Sequence, residues 1–322
     1  MKFIIYKGIL FLTILCGITQ FLLIPGAFWN FLFPILPTLL ILIYCLIQDY
    51  RNSLMLKYAV FLLLLLSLIE VGFYVISIRN VKPPNDPKQL TIMTYNLLFS
   101  NKSPKLSLSI IKSVEPDILL VQELTHDWEK LLLNEFGDIY KFKATHPLKG
   151  AHGIGIFSKY KISNQSIINN SNKPFAQIAE LSFNNKKVQF INTHLASPAG
   201  AVENKHDFVN LYSKNYSRRK KEVSEIMEKT LPLSNKYDCQ ILAGDLNTLR
   251  FEPIFKKIQI NWQNSTPRRY DFSHYSFPNT NKSKPFITLD YIMARGKVKF
   301  IDTKTIQGGS SDHLAIVSKI MI

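Results

Sequence analysis

Three long apolar runs, residues 8–24, 31–47 and 58–78, fill most of the first 79 positions. A helix rising about 1.5 Å per residue needs roughly 17–25 apolar residues to cross the hydrocarbon core, so each run is long enough to span a bilayer. A cleaved signal peptide fits Lys2 and Lys7 but not the length of the first run, the missing small-residue cleavage site or the two runs that follow. Lys2 and Lys7 precede the first run, Arg51 and Lys57 lie in the second connection, and residues 25–30 of the first connection carry no positive charge. The positive-inside rule therefore puts the amino terminus and the second connection in the cytoplasm, and three crossings put everything after Ile78 outside. Arg79, Lys82 and Lys88 weigh against this orientation, but long domains translocate largely regardless of charge. Trp29, Tyr50 and Tyr58 fit an interfacial aromatic belt. Glu70, inside the third run, is either a functional carboxylate or one paired within the bundle; no second acid or base in the spans suggests a relay. The expectation is a multi-pass protein of the cell (inner) membrane, with residues 1–79 as its transmembrane region.

Residues 80–89 are polar and carry Pro83, Pro84 and Pro87, the composition of an extended spacer. At no more than about 3.3–3.6 Å per residue, it keeps residues 90–322 within tens of ångströms of the bilayer. Of the 39 basic and 23 acidic residues, seven and three precede residue 89, so 32 face 20 beyond it, a net of +12. With 47% hydrophobic residues the chain is no disordered tail. Cys239 is the single cysteine beyond the spacer, which excludes a disulfide framework there.

Beyond the spacer, strand-like and helix-like stretches alternate. Strands are expected at 90–95, 118–121, 153–157, 175–182, 188–193, 240–243, 288–294, 299–305 and 314–320, and helices at 106–114, 128–136 and 208–230. Asn184 and Asn185 mark a turn between two of the strands. So many hairpins among helices fit antiparallel sheets packed on each other and covered by helices better than a doubly wound parallel sheet.

Polar residues able to bind a metal or move protons recur where these strands end: Asn96, Glu123, His194, Asp245 with Asn247, and Asp312 with His313; Asp290 interrupts an apolar strand. An acid after a strand is often only a helix N-cap. Burying the whole set costs several kcal/mol for each group unless they bind one another, a metal or a substrate. Carboxylates and an amide oxygen suit a hard cation such as Mg²⁺, and no Cys/His cluster has zinc spacing. With two histidines added, the set suits attack of water on phosphorus. No glycine loop with lysine cradles a nucleotide, and no Gly-x-Ser-x-Gly elbow supplies a serine nucleophile.

Thr94-Tyr95-Asn96, Val121-Gln122-Glu123, Gly153-Ile154-Gly155-Ile156-Phe157-Ser158, Asn192-Thr193-His194-Leu195, Gly244-Asp245-Leu246-Asn247, Leu289-Asp290-Tyr291 and Ser311-Asp312-His313 together resemble the ordered motifs of the endonuclease/exonuclease/phosphatase superfamily. That group includes pancreatic-type deoxyribonucleases, apurinic endonucleases, bacterial sphingomyelinases and inositol polyphosphate 5-phosphatases. The resemblance spans roughly residues 90–322 and implies a four-layer α/β sandwich, two packed mixed sheets flanked by helices. It implies Mg²⁺, with Mn²⁺ as a substitute, bound chiefly by Glu123 with Asn96 and Asp312. It also implies that Asp245 and Asn247 position the attacking water and a phosphate oxygen. It implies further that His313, oriented by Asp290, and His194 contact the scissile phosphate, with donor and acceptor left open. Leu98 stands where apurinic endonucleases carry an acid, and Ala151-His152 near where they carry Tyr and deoxyribonucleases Glu, which disfavours abasic-site repair; His152 either substitutes in the site or is a surface residue.

Arg218-Arg219-Lys220-Lys221, Arg268-Arg269 and the group Lys141, Lys143 and Lys149 suit phosphate backbones or anionic lipid surfaces, and a solvated face explains any one of them equally well. Three functions follow: a membrane-anchored phosphodiester hydrolase of nuclease type acting on nucleic acid, a phospholipid-directed esterase of sphingomyelinase or phosphoinositide type, and a catalytically silent binding domain. Tyr270, Phe272, Tyr275 and Phe277 would favour the lipid if they form an exposed hairpin rather than core. Alkaline phosphatase fused after Ile322 is expected to be active, reporting an extracytoplasmic carboxyl terminus; an inactive, cytoplasmic fusion would leave two spans or the reversed orientation.

Overall fold

The computed structural model describes residues 89–198, 208–250, 252–266, 274–280 and 283–322. The expected spans, Glu70, most of the spacer, Arg268, Arg269, Tyr270 and Phe272 lie outside them. Among the described residues no helix is long and apolar enough to cross a membrane.

One six-stranded sheet is built from β1 (Gln89–Asn96), β2 (Ile118–Gln122), β3 (Phe142–His146), β4 (Ile154–Ser158), β11 (Lys299–Ile306) and β12 (Ala315–Met321), in the order β11-β12-β1-β2-β4-β3. The second holds β5 (Ile162–Asn170), β6 (Lys173–Phe183), β7 (Lys186–His194), β8 (Cys239–Asp245), β9 (Gln263–Asn264) and β10 (Asp290–Gly296), in the order β5-β6-β7-β8-β10-β9. Helices α1 (Pro104–Val114) and α2 (His126–Phe136) connect strands of the first sheet; α3 (Phe208–Thr230) and α4 (Pro253–Gln259) belong to the second half. The two central strands of each sheet, β1 with β2 and β7 with β8, run parallel, and every other pairing is antiparallel. The sheets are therefore mixed, as the family resemblance implied, rather than wholly antiparallel.

Alternation along the strands explains the layers. On β1, Leu90 and Ile92 face the other sheet, while Met93 and Tyr95 pack under α1 and α2 with Ile111, Trp128 and Leu132. On β8, Ile241 and Ala243 point inward and Leu242 outward, beneath Val223 and Ile226 of α3. Each large apolar side chain so buried contributes roughly 1.5–3 kcal/mol. The result is four layers, helix–sheet–sheet–helix. Helix α2 begins where the Thr125 hydroxyl accepts from the Trp128 amide, with Asp127 and Glu129 in the first turn. The two-residue turns Ser171-Asn172 and Asn184-Asn185 are left-handed at both positions, the backbone a right-twisted hairpin requires.

Four elements escape sequence reading: β3, β5, β9 and α4. Strands β3, β5 and β9 lie at sheet edges, where polar side chains replace the alternating apolar pattern; α4 is only seven residues long.

At one end of the inter-sheet layer the inward positions turn polar. The Gln122 side-chain amide donates to Asn192 Oδ1 at 2.7 Å and to Thr94 Oγ1 at 3.0 Å. Asn192 Nδ2 donates to the Val121 and Gly155 carbonyls, both at 3.0 Å. All three side chains are fully buried, so this network clamps the sheets directly beneath the strand ends. Replacing Asn192 by Leu strands the Gln122 amide without water, and a loss of roughly 2–4 kcal/mol is expected. A urea midpoint shifted by less than a quarter of that would show that the bridge is dispensable.

Candidate active site

Parallel pairing at both sheet centres brings four strand ends together. Asn96 ends β1 and pairs in register with Gln122, the last residue of β2, and Glu123 follows. His194 ends β7 opposite Asp245, the last residue of β8. Antiparallel β10 starts there, with Asp290 opposite Asp245. Asp312 and His313 lie just before β12, which runs antiparallel to β1. Most of these positions continue the inward parity of the core: Leu90, Ile92, Thr94, Asn96 on β1, and Ile241, Ala243, Asp245 on β8.

Asn96 sits at the centre. Its Nδ2 donates to Glu123 Oε1 at 3.1 Å and to Asp245 Oδ2 at 3.2 Å, and its Oδ1 accepts from the Leu98 amide at 3.1 Å. The amide thus bridges a carboxylate from each sheet. Glu123 Oε2 also accepts from the Phe99 amide at 2.9 Å. Its backbone is left-handed, φ +58°, as is Leu98 at +60°.

Asp245 Oδ2 lies 3.6 Å from His194 Nε2 and 3.7 Å from His313 Nε2. Asp245 Oδ1 accepts from the Asn247 amide at 2.9 Å, and Asn247 Nδ2 donates to the Leu195 carbonyl at 3.0 Å, which ties the turn after β8 to the one after β7. Gly244 is required beneath this turn, because a Cβ there would lie 1.9 Å from the Thr193 carbonyl oxygen. Burial, aided by the Asp290 charge, raises the Asp245 pKa against the opposing pull of both histidines and the Asn247 amide.

His313 Nδ1 meets Asp290 Oδ2 at 2.8 Å, both residues buried. Burial alone would lower the His313 pKa. The charges of Asp290 and Asp245, with the Asp290 hydrogen bond, outweigh it and push it up to about 10. His313 is therefore an imidazolium at neutral pH, its Nε2–H free to act. Phe277 lies against the ring, centroids 4.8 Å apart. The loop beneath is held by Ser276, whose Oγ accepts from the Leu289 and Asp290 amides at 3.1 and 3.2 Å and whose carbonyl accepts from the Leu314 amide at 2.7 Å. Ser311 Oγ donates to the Asn96 carbonyl at 2.6 Å and accepts from the His313 amide at 3.1 Å. Sequence reading missed Ser276, since it lies in an irregular segment without periodicity; Phe277 is partly buried against the His313 ring and bridges antiparallel to Ile287.

Asp312 is partly exposed. Burial, and then the nearby Glu123 and Asp245 charges, raise its pKa against the pull of His313. Among the described residues no lysine, arginine or histidine is ion-paired with Glu123 or Asp312. Two uncompensated carboxylates within mutual electrostatic reach, beside an amide, fit a hard divalent cation. Asp245, Asp290 and His313 also present ligand atoms within 4.8 Å of one another, but there the proton between His313 and Asp290 already neutralises charge.

The model of the Endonuclease/Exonuclease/phosphatase family matches residues 93–313. No match is found among the curated proteins. Among solved structures the chain is similar to Danio rerio TDP2 complexed with a single-strand DNA product, at 19% identity over 74% of this chain and 100% of that one, TM-score 0.57. It is also similar to an endonuclease/exonuclease/phosphatase from Bacteroides vulgatus, at 14% identity over 73% and 99%, TM-score 0.55. Truncated Caenorhabditis elegans TDP2 gives 19% over 73% and 98%, TM-score 0.54. These likenesses are of fold.

The His313–Asp290 pair makes stability depend on pH. A folded-state pKa of about 10, above the ordinary 6.5, contributes stability that is complete below pH 6.5 and is lost as pH rises towards 10. A tenfold change in proton affinity corresponds to about 1.4 kcal/mol, so wild type should exceed Asp290→Asn by up to a few kcal/mol near pH 6, and the gap should close by pH 10. Denaturant titrations in EDTA across that range check it; a gap independent of pH would mean that His313 is not held as the cation.

Proposed function

Because the chain belongs to the Endonuclease/Exonuclease/phosphatase family, we propose that it is a divalent-metal-dependent phosphodiester hydrolase of nuclease type, anchored by residues 1–79 in the cell membrane and acting outside the cytoplasm. The observation that carries the chemistry is the Asn96 amide, which holds Glu123 of one sheet and Asp245 of the other at 3.1 and 3.2 Å beside an imidazolium. The two-sheet architecture and the motif order agree with it. The nucleic-acid substrate is supported by the net charge of +12 beyond the spacer and by the fold shared with a TDP2 complexed with single-strand DNA. Membrane anchoring is supported by the three apolar runs alone.

In this reading Glu123 and Asp312, with Asn96 Oδ1, would hold Mg²⁺ or Mn²⁺. The cation supplies charge neutralisation at phosphate oxygens. Asp245, a buried carboxylate of raised pKa, accepts a proton as a water oxygen forms its bond to phosphorus. Asn247 fixes that carboxylate through its backbone N–H. His313 Nε2–H stabilises the negative phosphoryl oxygen, since Asp290 keeps the ring cationic and fixes its tautomer. As the ester P–O bond breaks, its oxygen takes a proton from His194 or His313, both of which face Asp245.

A lipid phosphoester is the second reading, favoured by Phe99 at 46% and Phe286 at 50% exposure on loops bordering the site. The full chain in detergent micelles, given DNA, RNA, sphingomyelin and phosphoinositides, distinguishes the two. Hydrolysis is expected with Mg²⁺ or Mn²⁺ and not in excess EDTA, and Glu123→Ala should reduce kcat at least about a hundredfold with an unchanged melting curve. Undiminished turnover in EDTA, or an equally active Glu123→Ala, sinks the assignment.

A further inference from the structure

We propose that His152, Lys173 and Arg218 form a second anion site beside the reacting centre, which holds the phosphate next in the chain to the one being cleaved and so selects a nucleic-acid strand over an isolated ester. This rests on the phosphodiesterase reading above. The His152 imidazole and the two cations come from three separate elements, and each is fixed at the strand ends by a different device.

His152 precedes β4, whose Ile154 pairs with Gln122, so it stands one step beyond Glu123 on the neighbouring strand. The Leu124 amide donates to the Gly153 carbonyl at 2.9 Å, and the Leu148 amide to the Leu124 carbonyl at 3.0 Å, which binds the His152 loop to the residue after Glu123. Only glycine fits at 153, since a Cβ would lie 1.8 Å from the Leu124 carbonyl oxygen. The loop is thus held as rigidly as the strands.

Lys173 opens β6. Ala176 of that strand pairs with Thr193, so β6 overshoots the end of β7 and carries the exposed Lys173 past His194. Thr193 Oγ1 donates to the Phe175 carbonyl at 2.9 Å and pins the overhang. Arg218 lies on α3, where its Nε donates to Glu222 Oε1 at 2.8 Å. The other oxygen of buried Glu222 accepts from the Ala196 amide at 2.8 Å, two residues after His194. Arg218 is therefore tethered to the strand end through a carboxylate, with its terminal nitrogens left to a ligand.

Lys173 is carried past His194, and Arg218 is tied through Glu222 to the Ala196 amide, so both reach the end of β7. The His152 pKa is lowered by burial first and then by the charges of Lys173, His194 and Arg218, with Glu123 acting the other way. Such like charges repel unless an anion joins them. A phosphodiester strand with its scissile phosphate at His194 and Asp245 presents its next phosphate here, whereas an ester with one phosphate leaves the cations unused.

Arg218→Gln, Lys173→Gln and His152→Gln in the full chain, in detergent micelles with Mg²⁺, test it on a fluorescent single-stranded oligonucleotide and on bis(p-nitrophenyl) phosphate. Each variant should raise KM for the oligonucleotide about tenfold with kcat/KM for the one-phosphate ester unchanged, and Arg218→Gln and Lys173→Gln, which each remove a charge, should also reduce the slope of log KM against log salt by roughly 0.7–1. Lys173 is exposed, so its variant keeps the test valid should Arg218→Gln melt early. Equal losses on both substrates, or no loss on the oligonucleotide, overturn the site; so does a loss confined to a phosphoinositide in mixed micelles, which would assign the cations to a lipid headgroup. Should wild type cleave neither substrate, the phosphodiesterase reading fails by itself. Oligonucleotide anisotropy then decides the site: weakened binding in the variants sustains it, and unchanged binding overturns it.

Discussion

The hydrogen bond from Gln122 to Asn192 joins the two sheets at the end where their interface turns polar. Two sheets packed face to face offer each other every second side chain, and here those side chains are mostly Leu, Ile, Val, Phe and Ala away from the strand ends. A cleft lined by acids and imidazoles at that end would fill with water and part the sheets. The buried amides of Gln122 and Asn192 prevent this, because each of their polar ends meets a partner from the opposite side or from a strand backbone. A polar network satisfied in this way defines one register between the sheets. The distances between Glu123 on one sheet and Asp245 and His194 on the other follow from it.

The site above is over-supplied with negative charge. Glu123, Asp245, Asp290 and Asp312 meet there, with the His313 imidazolium set against them. Asp290 is committed to that ring, with its second oxygen buried and without a hydrogen bond. Asp245 relieves its burial by a raised pKa, which makes it a proton acceptor. Burial raises the Asp312 pKa as well, and among the described residues neither Asp312 nor Glu123 has an ion-paired lysine, arginine or histidine, so in the proposed function a divalent cation would neutralise them. The positive rim at Lys173 and Arg218 lies outside this negative centre. In the proposed function an anionic substrate would be attracted at the margin, and a bound cation would offset the negative charge at the centre.

Much of this was legible in the sequence because strands have a period of two. Thr94-Tyr95-Asn96 and Ala243-Gly244-Asp245 place an acid or amide in the parity of the apolar residues before it, and that pattern survives folding unchanged. The long helix Phe208–Thr230 was legible for its length. Strands β3 and β5 were not, since an edge strand faces water on one margin and loses its apolar alternation; β5 reads Ser163, Asn164, Gln165, Ser166. Nor did the sequence reveal Ser276, whose role depends on three backbone groups far from it in the chain. The parallel pairing at each sheet centre was hidden for a related reason, because buried strands read alike whichever way their neighbours run.

Glu123 shows where parity has to be broken. Gln122 faces the other sheet, so the residue after it would point into the helix layer if the strand continued. A left-handed backbone, φ +58°, turns Glu123 back towards Asn96 at a cost of about 1–2 kcal/mol. The Phe99 amide and the Asn96 amide hold it there, and Leu98, left-handed as well, curls the end of β1 so that the Phe99 amide can reach. Two consecutive residues thus serve one end of the interface: Gln122 fastens the sheets, and Glu123 presents a carboxylate to what binds between them. Because the same short segment sets the sheet spacing and aims the carboxylate, the strain at Glu123 is supported by the polar bridge one residue away, and neither feature is placed without the other.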